Sequence, residues 1–141
     1  MKTVLISLLA VISSALSMDS YGQNILQDTI RWKAAGFNDL VSRSDFNAAC
    51  YFVTYRSEII EWVQDNGKVV YKMPIKNVDG RWEDIRTDGK INYSFELERM
   101  AGNMTIQRLK GQIRLVIEFP EWSGGPFRGR YHITNVEMIR P

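Results

Sequence analysis

The sequence has 141 residues, 45% of them hydrophobic and 24% charged, with a formal net charge of +2. Those values suit one small globular domain and argue against a disordered chain. A charge so near balance offers no basic stripe for nucleic acid or an anionic membrane surface.

The first segment in chain order reads as an export signal. Met1 and Lys2 precede an apolar stretch over residues 4–16, interrupted only by the small Ser7, Ser13 and Ser14. A short positive end, an apolar segment and then small residues form the layout of a secretory signal peptide. The stretch falls short of the roughly 20 apolar residues that span a bilayer. Polar Asp19, Ser20 and Gln23 follow it rather than a basic stop-transfer cluster. Cleavage is compatible with Ser17 or Gly22, and Gly22 is preferred because the Tyr21-Gly22-Gln23 ending resembles signals of exported Gram-negative proteins. No cysteine sits just after the apolar stretch, so a lipid anchor is not expected. The expectation is a signal over residues 1–22 and one β-rich domain over 23–141, periplasmic or secreted, with no integral membrane span in the mature chain. The alternative is that the stretch forms a buried N-terminal helix.

Residues 23–47 carry mixed signals. Ile25, Leu26, Ile30 and Trp32 fit one face of a short helix or the start of a strand, and Phe37, Leu40 and Val41 suggest a helical turn after Gly36. From Ala48 the period becomes two, with Cys50, Phe52 and Thr54 alternating with Tyr51, Val53 and Tyr55. Residues 58–64 are read as a strand for their β-branched and aromatic content. Asn66-Gly67 is a strong hairpin signal, since a type I′ turn needs positive φ at both central residues. Val69, Tyr71, Met73 and Ile75 then alternate. Asp79-Gly80 is read as a second turn, residues 81–85 as a short strand, and Asp88-Gly89 as a third turn. Ile91, Tyr93, Phe95 and Leu97 alternate with polar residues, the pattern of a strand with one buried and one wet face. Turns are placed at Ala101-Gly102-Asn103 and Lys110-Gly111-Gln112, and a strand with Ile113, Leu115, Ile117 and Phe119 on one face follows. A longer loop over residues 120–129 leads to a last strand from Arg130.

About eight short strands with no room for a helical crossover imply an antiparallel meander, and closure into a barrel removes its edges. The fold class is therefore all-β. The strand count and meander resemble a lipocalin-type barrel, with Trp32 near the mature start but without the family's preceding Gly-x. The resemblance is architectural, covers residues 48–139 and brings no functional residues with it. An α+β fold, with an N-terminal helix packed on an antiparallel sheet, is the alternative.

Catalytic signals are sparse. Cys50 is the only cysteine, so no internal disulfide forms, and its apolar neighbours favour a buried thiol over a reactive one. With His132 the only histidine, a zinc centre lacks ligands and a nucleophile–histidine device has no local signature. Asp79, Glu83, Asp84 and Asp88 cluster near two turns as a remote calcium-site or hydrolase candidate, although Asp-Gly at turns has a purely backbone explanation. The 120–130 segment sets Trp122 and Phe127 beside Arg128 and Arg130, offering rigid aromatic surface and planar anion donors to a partner. Trp62, Tyr71, Trp82 and Tyr93 are the candidates to line an interior cavity. The reading is an exported, non-enzymatic binding module without a cofactor, taking a small apolar ligand in the barrel or a protein partner at the 120–130 loop. An accessory subunit of an envelope assembly and a carboxylate hydrolase are the alternatives.

Overall fold

The computed structural model describes residues 25–140, so the export signal read in residues 1–22 lies outside the described residues. Nine strands follow in order: β1 (Thr29–Asp39), β2 (Ser44–Phe46), β3 (Cys50–Tyr55), β4 (Ile59–Gln64), β5 (Val69–Arg81), β6 (Gly89–Leu97), β7 (Met100–Leu109), β8 (Gln112–Trp122) and β9 (Gly125–Ile139). All pairings are antiparallel, in the order β2-β1-β3-β4-β5-β6-β7-β8-β9, and β1 also pairs with β9. That last ladder runs from Thr29 opposite Ile139 to Asp39 opposite Gly129 and closes the sheet. The chain thus forms the expected all-β, lipocalin-like barrel of eight strands, with β2 as a three-residue addition beside the end of β1. Among the described residues the only helical turn is a 3-10 turn at Asp65–Gly67, which removes the α+β alternative.

Alternation decides which side chains point inward. Ile30 and Trp32 on β1, Phe52 and Thr54 on β3, Ile60 and Trp62 on β4, and Ile91, Tyr93 and Phe95 on β6 are all buried. On β1 and β6 the residues between them are only partly covered, while on β3 and β4 the alternate Val53 and Val63 are covered as well. The outer side of the closure seam is tied by ion pairs. Glu137 on β9 meets Arg31 at 3.0 Å and Lys33 at 2.9 Å, both from β1, and the Arg31 guanidinium also lies over the Tyr51 ring. The Lys33 hydrogen bond, then Arg31, holds the Glu137 carboxyl below its ordinary range.

Several sequence expectations need correction. Residues 29–39 form a strand, not a helical turn after Gly36, because Ile30 and Trp32 follow the period of two and Phe37 pairs opposite Phe46 of β2. Asp79-Gly80 is no turn: β5 runs through it, with Gly80 at φ +99° opposite Ile91. Residues 81–85 are not a strand beyond Arg81; they begin the loop that carries Trp82 across the barrel end. The turn after β6 is Glu98-Arg99, both at positive φ, and Gly102 lies within β7. The Asn66-Gly67 signal does mark a hairpin. It is a four-residue connection, since Gln64 pairs with Val69, and Asp65 shares the positive φ of Asn66 and Gly67.

The two rims differ. At the rim carrying Thr29, Arg81, Gly89 and Ile139, Ile25, Trp82 and Ile85 are buried and join the core. Trp82 packs on Trp32 with ring centroids 6.0 Å apart, and its indole N–H donates to the Thr87 carbonyl at 2.9 Å. Gly89 lies under the Trp82 ring, where a Cβ would come within 2.1 Å of Cδ1. One end of the barrel is therefore plugged.

Candidate ligand cavity

The opposite rim, formed by Asp39, Cys50, Gln64, Val69, Trp122 and Gly125, remains open around a cavity of about 670 Å³. Six aromatic side chains line it: Phe37, Trp62, Tyr71, Trp122, Phe127 and Tyr131. Inward alternation delivers Trp62 on β4, Tyr71 on β5 and both Phe127 and Tyr131 on β9. Phe37 on β1 and Trp122 on β8 fall out of phase with the buried residues before them and are turned inward by the register shifts between Ala34 and Phe37 and between Phe119 and Trp122. Trp62 is the hub. Its ring centroid lies 5.6 Å from Phe52 and Tyr71, 6.1 Å from Phe127 and Tyr131, and 6.2 Å from Trp122. Such offset and edge-on contacts hold large rings in fixed orientation. Ala48, Ala49 and Cys50 complete the wall, and Gln64, Asp65 and Asn66 give a polar side to the mouth.

The 120–130 segment is where structure and expectation part most usefully. It is not a long loop: β8 and β9 continue to Trp122 and Gly125, joined by Ser123-Gly124 at φ +49° and +91°. Trp122 and Phe127 consequently turn into the barrel mouth. Arg128 and Arg130 fall on the outer face, where Arg128 meets Glu118 at 3.5 Å and Arg130 reaches Asn38 Oδ1 at 3.4 Å. The aromatic and cationic halves of the expected site thus stand on opposite sides of the same wall.

The interior candidates also divide. Trp62 and Tyr71 line the cavity, whereas Trp82 plugs the far rim and Tyr93 is fully buried in the packed middle. Burial pushes the Tyr93 phenol well above its ordinary pKa, and its hydroxyl has no hydrogen-bond partner among the described residues. Sequence reasoning missed Phe37, Tyr131 and the Asp65-Asn66 side of the mouth. Tyr131 shares a face with Phe127 at a period of two, a relation hidden when the last strand is begun at Arg130 instead of Gly125. Phe37 was hidden by the mixed signals of residues 23–47.

Cys50 is the one thiol in the cavity wall. Burial raises its thiol from 9.0 to about 11, opposed in part by the Trp62 indole N–H beside it, so the uncharged thiol prevails at neutral pH. That agrees with the reading of an unreactive thiol. The Trp62 N–H has no conventional partner, and the sulfur beside it is a weak acceptor. Tyr131 is pushed up by burial first, then by the negative charges of Cys50 and Asp39.

These shifts have a sign for stability. Groups whose pKa rises on folding favour the native state while they stay protonated, and that contribution is lost as pH climbs past the ordinary value toward the folded one. For Cys50 the window is pH 9 to about 11. Urea midpoints should hold steady below pH 9 and fall above it, and Cys50→Ala should show a shallower fall, the remainder coming from the buried tyrosines. An equal slope in Cys50→Ala would contradict the assignment.

The remaining candidates lie elsewhere. His132 is exposed on the outer face, with Nε2 3.1 Å from Asn38 Oδ1. Asp79, Glu83, Asp84 and Asp88 sit around the plugged rim. Asp84 is held by Arg86, which lowers its carboxyl, Glu83 pairs with Arg81, and Asp88 accepts from the Lys110 backbone N–H. A lowered, exposed carboxyl is the reverse of what a general acid needs. Among the described residues no group of three or more His, Cys, Asp or Glu is placed to hold a metal ion, and no helix is long and apolar enough to cross a membrane.

In comparisons with known proteins, no family model matches the chain and no curated protein shows significant similarity to it.

Proposed function

We propose that this is an exported, non-enzymatic carrier that holds a small, largely apolar ligand in the aromatic end of its barrel. The observation that supports the reading is the asymmetry of the interior: one rim is plugged by Trp82, and the other opens on a cavity of about 670 Å³ walled by six aromatic rings. A volume in the range of roughly 300–1,000 Å³ with apolar walls and a few polar groups is what small-molecule sites present. Eight strands leave an interior just wide enough for such a ligand. The export half of the proposal rests on the sequence of residues 1–22.

Placement of Trp122 and Phe127 favours this reading over a partner-binding loop, because both rings face the cavity rather than solvent beyond the hairpin. The neutral fluorescent probe N-phenylnaphthylamine tests it. The purified protein should enhance the probe's emission saturably. Trp122→Ala should weaken binding about tenfold or more, the loss expected when about 1.4 kcal/mol of contact is removed. Arg128→Ala should bind as the parent does. A reversed pattern, with the arginine needed and the tryptophan dispensable, would return the working surface to the outer face.

A further inference from the structure

The charge distribution around the cavity narrows its ligand class, on the carrier reading just given. None of the lining residues is Lys, Arg or His, and the one ionisable acid among them is Asp65, at the mouth. The two arginines nearest in sequence to the lining rings, Arg128 and Arg130, are turned to the outer wall and engaged by Glu118 and Asn38. A carboxylate or phosphate drawn among these rings would lose its hydration and find no cation to replace it, which is costly. A weakly hydrated organic cation meets the opposite situation. The faces of Trp62, Tyr71, Trp122, Phe127 and Tyr131 carry the negative side of the ring quadrupole, and aromatic walls of this kind recognise quaternary ammonium groups.

A second negative charge lies close by. Asp39 accepts the backbone N–H groups of Val41 at 2.9 Å and Ser42 at 3.2 Å, which keeps its carboxyl ionised, and its field is felt at the Tyr131 hydroxyl on the cavity wall. The mouth therefore offers aromatic faces and negative potential together, with apolar wall for the rest of the molecule.

We infer that the ligand is an amphiphilic organic cation, its ammonium group set against the aromatic faces beside Asp65 and its apolar body within the cavity. Anionic amphiphiles such as free fatty acids are rejected by the same arrangement.

Three probes of equal chain length separate the possibilities by calorimetric titration of the purified protein below their micellar concentrations: decyltrimethylammonium, decanol and decanoate. The cation should bind about tenfold more tightly than decanol, and decanoate most weakly of the three. Asp65→Asn, which keeps a residue tolerant of the positive φ at this turn, should reduce the cation's advantage several-fold and leave decanol unchanged. Decanol or decanoate binding as tightly as the cation would overturn the inference while leaving a carrier of apolar ligands in place. If none of the three binds, the carrier reading itself fails and takes the inference with it.

Discussion

Trp32→Ala should lower the unfolding free energy by about 3–5 kcal/mol, the range for deleting a large aromatic from a packed core. Trp32 is fully buried on β1, packs on Trp82 of the plug, and donates its indole N–H to Thr54 Oγ1 at 3.1 Å. Thr54 is fully buried, so the mutation removes ring contacts and leaves its hydroxyl short of a partner. Since domains of this size are stable by about 5–15 kcal/mol, that loss takes a large share of the total. Trp32→Phe should retain most of the packing and lose about 1–2 kcal/mol through the hydrogen bond. Urea denaturation followed by far-ultraviolet dichroism reads both. A Trp32→Ala midpoint within error of the parent would mean that the plugged end is not packed as described.

Gly102→Ala should cost about 1–3 kcal/mol although it adds a single methyl group. Gly102 lies inside β7 opposite Phe95, where a Cβ would stand 2.6 Å from Phe95 Cε2 and 3.0 Å from the Glu118 carbonyl oxygen. Phe95 is itself buried and set edge-on against Phe119 at 5.4 Å, so it has no empty space to retreat into. Combining Gly102→Ala with Phe95→Leu tests the mechanism. If the clash is with the ring, the double variant should be less destabilised than the sum of the two single ones. Strict additivity would place the cost in the backbone contact to Glu118.

Gly102 also shows where sequence reasoning met its limit. A glycine flanked by Ala101 and Asn103 looks like turn chemistry, yet here it makes room for an aromatic ring one strand away, a cause that lies in tertiary packing. The true turn uses Glu98-Arg99, two residues with no preference for positive φ, so nothing local announces it. Where local chemistry and register agree, the sequence is transparent. Ile91, Tyr93, Phe95 and Leu97 mark the inward face of β6, and Lys110-Gly111 takes the positive φ values expected of its turn. The barrel itself was legible from strand count and the absence of crossovers, since closure is the common way for an antiparallel meander to remove its edges.

The cavity was half legible. Strand period points Trp62, Tyr71, Trp82 and Tyr93 inward alike, but period alone cannot tell which end of a barrel is filled. That outcome depends on whether a connecting segment folds over the rim. Residues 82–88 do so at one end, while the short β8–β9 turn at the other leaves the mouth open. The glycine-rich run after Trp122 suggested a flexible loop with four exposed contact groups. Strand continuation sends Phe127 to one face of β9 and Arg128 and Arg130 to the other, and the register shift before Trp122 turns that ring inward too.

The four tryptophans divide evenly between the two ends, with Trp62 and Trp122 at the cavity and Trp32 and Trp82 at the plug. Each indole N–H gives its own signal in a proton–nitrogen correlation spectrum, so titrating the labelled protein with N-phenylnaphthylamine reports occupancy at both ends at once. The carrier account predicts that the Trp62 and Trp122 signals move together and saturate while those of Trp32 and Trp82 stay in place. Movement confined to Trp32 and Trp82, or no movement at a saturating probe concentration, would contradict it.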